Sequence, residues 1–287
     1  NVRALTAMTV DGTTRRFEYA DTTQALDADM HALALKEQTE ITTRFPKVQR
    51  RVGGYNIDAL LGDAPHIGHL LVGSEGTLAL TKSIDLKLSP VLGTKTLGVC
   101  HFPTFYAAMD AAQHIVKLGP VAVELVDHNM IQLGRDIPQF RPVVESFVQG
   151  NPAALLLVEF AETPEENGKR LNELVELMGD LGFSWSDTNK ATGGVFKVED
   201  PAFQASIWGV RTQGLNIMMS MRSEGKPVSF VEDCAVPLEH LADFTSQLTD
   251  VFHKHGTDGT WYAHASVGLL HVRPVLNLRQ DLGLRQM

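Results

Sequence analysis

Two histidines near the end of the sequence flank a stretch of small and apolar residues. The segment His264-Ala-Ser-Val-Gly-Leu-Leu-His271 sets the two imidazoles seven residues apart. On an unbroken strand such residues face opposite sides, so a loop or bulge at residues 266–268 would have to bring them to one metal ion, and Gly268 permits that bend. The spacing leaves two interpretations open: a pair of metal ligands, or two independent histidines at strand ends.

A metal site would need more than these two rings. Zinc usually takes a third protein ligand, often a carboxylate, and Asp281 is the candidate that follows His271 in the sequence. The pattern alone therefore indicates at most part of a metal site.

Arg211 is a second candidate for chemistry. Its predicted helix has an apolar face that includes Ile207 and Trp208, and Arg211 follows them by one turn. A permanently charged guanidinium at the edge of a buried face suits a substrate carboxylate held by two parallel hydrogen bonds, and it also suits a structural ion pair. Both interpretations stay open on the sequence alone.

A turn rich in glycine is the third candidate. Residues 70–81 read L-L-V-G-S-E-G-T-L-A-L-T, which predicts an apolar strand that runs into a turn formed by Gly73, Ser74, Glu75, Gly76 and Thr77. Glycine allows positive φ and the close approach of a ligand, so the amides of this turn can converge on an anion such as a phosphate. A plain hairpin or bulge has the same spacing.

Several carboxylates have structural interpretations beside the chemical ones. Asp127 is well placed to cap a following helix, although Glu124, Asp127 and His128 together could form an acid/base group. Glu232 and Asp233 are neighbours on a short predicted strand, where adjacent side chains point to opposite faces. We therefore expect only one of that pair to face any one site.

The composition is that of an ordinary globular protein. The chain has 287 residues, 44% of them hydrophobic and 21% charged, which favours two domains with a buried core. A net charge of -9 predicts no nucleic-acid partner, because phosphate binding needs clustered Lys and Arg. No apolar run is long enough to span a bilayer, and two cysteines without CxxC spacing favour a reducing cytoplasm. Peripheral contact with the inner face of a membrane stays open.

The periodicity divides the chain at a linker over residues 92–94. Before it we predict a hairpin with an Asp11-Gly12 turn and a helix over 24–42. After it, strands and helices alternate as in an α+β domain. The predicted strands cover 97–102, 121–126 and 154–160, and strands resume at 260; the predicted helices cover 105–118, 165–181, a segment between the N-cap Asp200 and Gly214, and 238–252.

Five motifs in this order resemble the FAD-linked oxidases of the vanillyl-alcohol oxidase superfamily, and especially its D-lactate, glycolate and D-2-hydroxyglutarate dehydrogenase branch. They are G-Y-N-I-D-A-L-L at 54–61, the turn within 70–81, W-G-V-R at 208–211, E-D-C-A-V-P at 232–237 and H-A-S-V-G-L-L-H-V-R-P at 264–274. The resemblance implies the second half of a PCMH-type FAD-binding domain over 1–94, followed over 95–287 by a ferredoxin-like α+β cap domain of the FAD-linked oxidase C-terminal type.

The same resemblance implies site roles and a reaction. A small D-2-hydroxy acid would be oxidised to the 2-oxo acid, with hydride transfer to FAD. The turn residues Gly73, Ser74, Glu75, Gly76 and Thr77 would contact FAD. Arg211 would bind the substrate carboxylate, and His264 and His271 would ligate a divalent metal such as zinc.

The chain also departs from the family pattern. Val267 and Leu269 stand where relatives commonly have Asp and Asn, and a G-E-H-G segment and a first FAD subdomain are missing. We therefore expect a piece of a longer protein that binds FAD weakly and is inactive alone, with the general base and third metal ligand elsewhere. A relative of the ether-lipid synthase or aryl-alcohol oxidase type, and a non-catalytic α+β binding module, are the alternatives. The sequence does not identify the electron acceptor, and a homodimer stays open.

Overall fold

The computed structural model describes residues 1–51, 53–185 and 193–287, which form two compact units. The first unit comprises Asn1–Lys47 and Arg51–Val91, and the second comprises Val48–Arg50 and Leu92–Met287. The division after Val91 adjoins the linker proposed from the sequence.

The first unit is built on a three-stranded antiparallel sheet. Strands β1 (Val2–Met8), β2 (Thr14–Phe17) and β3 (Leu80–Leu86) lie in the order β2-β1-β3. The predicted hairpin is confirmed, and Asp11 closes its turn by accepting hydrogen bonds from the Thr13 amide and the Thr9 hydroxyl. Helices α1 (Ala25–Lys36), α2 (Gln38–Arg44) and α3 (Gly68–Leu71) follow, with a 3-10 turn at Ile57–Leu60.

The predicted strand before Gly73 is wrong. Leu70 lies in the single turn of α3, where the Leu70 amide donates to the Ile67 carbonyl and the His69 amide donates to the His66 carbonyl. A short apolar run does not distinguish a buried strand from a buried helical turn, because three or four residues show no period.

The second unit is built on one large antiparallel sheet that is packed against helices. Its strands are β4 (Thr96–Phe102), β5 (Ala122–Asp127), β6 (Ala154–Phe160), β7 (Gly194–Val198), β8 (Lys226–Pro227), β9 (Val231–Ala235), β10 (Gly259–His264) and β11 (Leu269–Leu276). Among the described residues their order is β7-β4-β6-β5-β10-β11-β8, with β9 also paired to β11. The first four strands have the ferredoxin-like order, which confirms the predicted fold class.

Helices cover both faces of this sheet. They are α4 (Phe105–Ile115), α5 (His128–Asp136), α6 (Arg141–Phe147), α7 (Pro164–Asp180), α8 (Pro201–Thr212), α9 (Gly214–Met219), α10 (Leu241–Lys254) and α11 (Asp281–Gln286). Alternate residues of β6 enter two separate cores: Leu156 packs with residues of α4, α7 and α10, and Leu155 packs with residues of α5, α6, α8 and α9. None of the helices described combines the length and apolar character that a bilayer span requires.

Both predicted ends of helix α8 are confirmed. Asp200 is its N-cap, because its carboxylate accepts the Phe203 amide at 2.7 Å. Gly214 lies after the last turn, which ends at Thr212, and it begins α9. A Cβ at Gly214 would come within 3.0 Å of Met130 Cε, so this position also requires close packing.

Asp127 both caps α5 and ties β10 to the end of β5. Its side chain is buried, and it accepts hydrogen bonds from the Met130 amide at 2.8 Å and the Trp261 amide at 3.0 Å. The capping interpretation of Asp127 is therefore confirmed.

We expect Asp127→Ala to lower the free energy of unfolding by about 2–4 kcal/mol, because it leaves two backbone N–H groups without acceptors, one of them in the sheet. Asp200→Ala is the matched control, since it removes an N-cap of the same type that is exposed and holds one amide; we expect a loss of about 1 kcal/mol. Urea denaturation of both variants measures the difference. Equal losses would show that the bond to Trp261 contributes nothing.

Candidate active site

The β10–β11 hairpin brings the two histidines together. Tyr262 pairs with His271 and His264 pairs with Leu269, so His264 and His271 are diagonal neighbours on one face of the sheet. Their ring centroids are 5.4 Å apart. The sequence pattern required a bend between them, and the chain makes it through a 3-10 turn and Gly268 at φ +66.

Each histidine presents its Nδ1 atom to a different carboxylate. Nδ1 of His264 lies 2.9 Å from both carboxylate oxygens of Glu124, its direct partner across the β5–β10 ladder. Nδ1 of His271 lies 2.9 Å from Oδ1 of Asp233. Neither Nε2 atom has a hydrogen-bond partner within the described parts of the chain. Nδ1 of His264 is therefore hydrogen-bonded to a carboxylate, Nδ1 of His271 lies at ion-pair distance from another, and both rings are open at Nε2.

Arg211 of α8 reaches the same carboxylate from the side. Its Nη2 donates to Glu124 Oε2 at 2.5 Å and to the Ala263 carbonyl at 3.3 Å, and its guanidinium carbon lies 3.0 Å from the Tyr262 ring centroid. Only 3% of Arg211 is exposed, and this burial lowers its pKa to about 10, so it stays charged at neutral pH.

The two open interpretations of Arg211 are thus partly resolved. The side chain forms a buried ion pair with Glu124, yet its Nε and Nη1 groups are buried without a partner among the described residues. Buried N–H groups of this kind are rare in folded proteins and call for an acceptor. The geometry therefore includes a structural ion pair and leaves donors for a further anion.

A bulge on β9 overturns the expectation for Glu232 and Asp233. Asp233 has φ +60, and the β9–β11 register shifts at this point. Glu232 consequently bonds Arg273 while Asp233 faces His271, and both partners lie on one face of β11. Burial raises the pKa of Glu232, but hydrogen bonds from Arg273 and Ser229 outweigh this effect and lower the pKa below its usual range.

A cleft of about 220 Å³ is lined in part by His271, one of the two histidines. Its lining combines apolar residues of α9 with polar side chains of the hairpin, and it consists of Thr212, Leu215, Met218, Tyr262, His271 and Arg273. A pocket of this size and mixed lining suits a small organic acid better than a nucleotide.

The histidine pair supplies two donors of a metal site. Two rings bound through Nε2 to one tetrahedral ion at about 2.1 Å would have centroids about 5 Å apart, close to the spacing found here. No group of three His, Cys, Asp or Glu residues arranged to hold a metal occurs within the described residues. Asp281, the third ligand suggested by the sequence, begins α11 and is wrong in that role.

The turn at residues 73–77 has the backbone conformation expected from its glycines. Gly73, Glu75 and Gly76 have φ values of +79, +52 and +78. Their amides donate to no acceptor among the described residues, whereas those of Ser74 and Thr77 bond within the turn. A Cβ at Gly73 or Gly76 would meet no atom within 4 Å among the described residues.

The G-Y-N-I-D motif holds this turn in place. The side-chain amide of Asn56 donates to the carbonyls of His69 at 3.2 Å and Val72 at 2.9 Å. The hydroxyls of Tyr55 and Thr77 lie 2.8 Å apart. Two motifs that are separate in the sequence thus form one structural element.

Residues 93–286 match the family described as FAD linked oxidases, C-terminal domain. The chain belongs to the FAD-linked oxidases. The match covers the whole of the second unit's sheet, including the histidine hairpin and Arg211.

Curated relatives of this FAD-linked oxidase include two D-2-hydroxyglutarate dehydrogenases. Those of Pantoea ananatis and Escherichia coli are each 27% identical over 256 and 264 residues, with 86% of this chain and 25% of theirs covered. A D-lactate dehydrogenase of Archaeoglobus fulgidus is 24% identical, with 72% of this chain and 42% of its own covered. The chain spans about a quarter of the length of the first two.

Solved structures of the same fold include p-cresol methylhydroxylase with substrate bound. It has a TM-score of 0.56 at 11% identity, with 99% of this chain and 53% of that chain covered. 4-Ethylphenol oxidase from Gulosibacter chungangensis, as an isoeugenol complex, has a TM-score of 0.52 at 8% identity, with 99% and 53% covered. At such identities the likeness concerns the fold alone, and it agrees with the PCMH-type assignment.

Glu124→Ala should lower the free energy of unfolding by about 3–5 kcal/mol, because it leaves the buried charge of Arg211 without a carboxylate. Glu159→Ala is the control: this glutamate is more buried than Glu124, but its partner Lys95 is half exposed and can return to water, so we expect a smaller loss. Guanidinium denaturation gives both values. A loss for Glu124→Ala no larger than for Glu159→Ala would contradict the central role of the Arg211 ion pair.

Proposed function

We propose that this chain is part of an FAD-dependent dehydrogenase that oxidises a small D-2-hydroxy acid to the 2-oxo acid with the help of a divalent metal. The observation that carries the proposal is the histidine pair, open at Nε2, beside a cleft and next to a buried guanidinium with free donors. The activities named for the D-2-hydroxyglutarate and D-lactate dehydrogenases support it.

In this proposal the turn at residues 73–77 contacts FAD. The amides of Gly73, Glu75 and Gly76 have no acceptor within the described residues and suit a polar group of the cofactor. Ser74 and Thr77 donate their hydroxyl hydrogens to the carbonyls of Leu71 and Ser74, so their main part is to shape the turn.

The substrate carboxylate is assigned to Arg211. Its Nη2 is held by Glu124, and the unpartnered Nε and Nη1 groups are the donors that remain for an anion. Tyr262 covers the guanidinium, so the bound acid would have to displace or share this contact. Arg273 lines the cleft with His271 and adds positive charge where an acid would enter.

His264 and His271 are the proposed metal ligands, and a zinc ion is the simplest occupant for two imidazoles. When bound, FAD accepts the hydride from C2 of the hydroxy acid, and a divalent ion makes the hydroxyl group more acidic. The chain's own residues orient the acid and hold its negative charge. The base that takes the hydroxyl proton, and the remaining metal ligands, are assigned to sequence outside residues 1–287.

The test uses the longer protein that contains this chain, taken from the surrounding reading frame. We expect it to bind FAD and its flavin absorbance to bleach when D-2-hydroxy acids are added without oxygen. His271→Ala should lower kcat/KM about 100-fold or more, because a ligand is lost. His253→Ala is the control, since His253 pairs with Asp258 on the exposed side of α10.

Each contrary outcome identifies an alternative. A longer protein without flavin would favour a non-catalytic α+β module. A flavoprotein reduced by phenols or aryl alcohols and not by hydroxy acids would favour the aryl-alcohol oxidase type. Equal loss in the two histidine variants would remove His271 from the site.

A further inference from the structure

We infer that Glu124 and Asp233 are positioning residues that fix the tautomers of His264 and His271, so that both imidazoles present an Nε2 lone pair to a common ligand. The role of that ligand as a metal rests on the proposed function. The tautomers are inferred from the contacts of the two imidazoles with Glu124 and Asp233 in this chain.

Glu124 is a fixed acceptor for His264. An ionised carboxylate can only accept hydrogen bonds, so the Nδ1 atom 2.9 Å from both its oxygens must carry the hydrogen. The buried charge of Arg211, paired to the same carboxylate at 2.5 Å, holds Glu124 in place. His264 is therefore held as the Nδ1–H tautomer with Nε2 open.

Asp233 is the corresponding carboxylate for His271, at ion-pair distance from its Nδ1 atom, and a strained backbone places it there. A non-glycine residue at φ +60 is uncommon, and such strain persists where the surrounding structure requires it. Here the bulge turns the carboxylate of Asp233 toward Nδ1 of His271, on the face where His264 also lies. Without the bulge, the alternation of β9 would send Asp233 and Glu232 to opposite faces.

A carboxylate on the second ring nitrogen is the arrangement that prepares a histidine for metal binding. It fixes the tautomer and the ring plane and makes the ligating nitrogen more basic. Two carboxylates, one from β5 and one from β9, each approach one of the two histidines, which are diagonal neighbours in the hairpin. Packing of the two aromatic rings against each other would require neither carboxylate. An edge-to-face contact of the two rings would form with either tautomer.

The tautomers can be measured on the chain without flavin or metal. Long-range ¹⁵N–¹H correlation spectra at pH 9, where imidazoles are neutral, distinguish Nδ1–H from Nε2–H rings. We expect His264 and His271 to be Nδ1–H in the unaltered chain. Asp233→Gly removes the carboxylate and accommodates φ +60, so His271 should change to a mainly Nε2–H ring; Asp233→Asn keeps an acceptor oxygen and should restore most of the Nδ1–H form.

Zinc titration of the longer protein, which supplies the remaining ligands, provides the second measurement. Asp233→Gly should weaken Zn²⁺ binding about 10- to 100-fold, with partial rescue in Asp233→Asn. Asp258→Ala is the matched control, because Asp258 contacts His253 on the surface at 3.0 Å and should leave the affinity unchanged. Asp233 is exposed, so these variants test the inference even if Glu124→Ala does not fold.

The outcomes separate this inference from the proposed function. Nε2–H rings in the unaltered chain, or a His271 tautomer indifferent to Asp233→Gly, would overturn the inference. An equal loss of zinc affinity in Asp258→Ala would also overturn it. Nδ1–H rings, together with no zinc binding by the longer protein that supplies the remaining ligands, would support the positioning role and would remove the metal from the proposed function.

Discussion

The buried positive charge of Arg211 is the constraint around which the second unit is arranged. A guanidinium that is 3% exposed has lost its hydration and is stable only beside an acceptor of opposite charge. Glu124 is that acceptor, within the strand A-V-E-L-V-D. Because the carboxylate must stay there for Arg211, it is also available to His264, its partner across the β5–β10 ladder. One electrostatic requirement thus joins α8, β5 and β10.

The sheet separates this polar group from the core by simple alternation. On β10, Ala263 enters the core beneath α4 and α10, while Tyr262 and His264 emerge on the opposite face. On β11, Leu270 and Val272 enter that same core, and the intervening His271 emerges. The packing that stabilises the hairpin therefore also determines which side chains can do chemistry. A shift of one residue in the register would bury the imidazoles and expose the core.

Sequence periodicity predicted the elements well because local signals decide them. The strand at 154–160, the N-cap Asp200 and the positive φ values at Gly73 and Gly76 all follow from residues near in the chain. The short apolar run before Gly73 was misassigned, because a single helical turn leaves no period to read. The close packing of Gly214 against Met130 was not predictable from the sequence, because Met130 lies in another element.

The site could be predicted only in part, for a different physical reason. His264 and His271 are close in sequence, and a bend between them, which Gly268 permits, is enough to bring them together in a hairpin. Glu124 lies 140 residues from His264, and only the order of strands in the sheet makes them neighbours. An acidic residue inside the apolar strand A-V-E-L-V-D was the available signal, since a charge there needs a partner. The contact between Asp233 and His271 was harder to predict, because the orientation of Asp233 depends on a bulge.

The locality of the histidine hairpin also bears on how the site assembles during folding. Joining β10 to β11 closes a loop of only a few residues, whereas joining β10 to β5 must close one of well over a hundred, at a much larger entropic cost. The two imidazoles can thus meet early, while their alignment by Glu124 has to wait for the sheet to close. A kinetic intermediate with the hairpin formed and β5 undocked would hold both rings without the carboxylate that orders one of them.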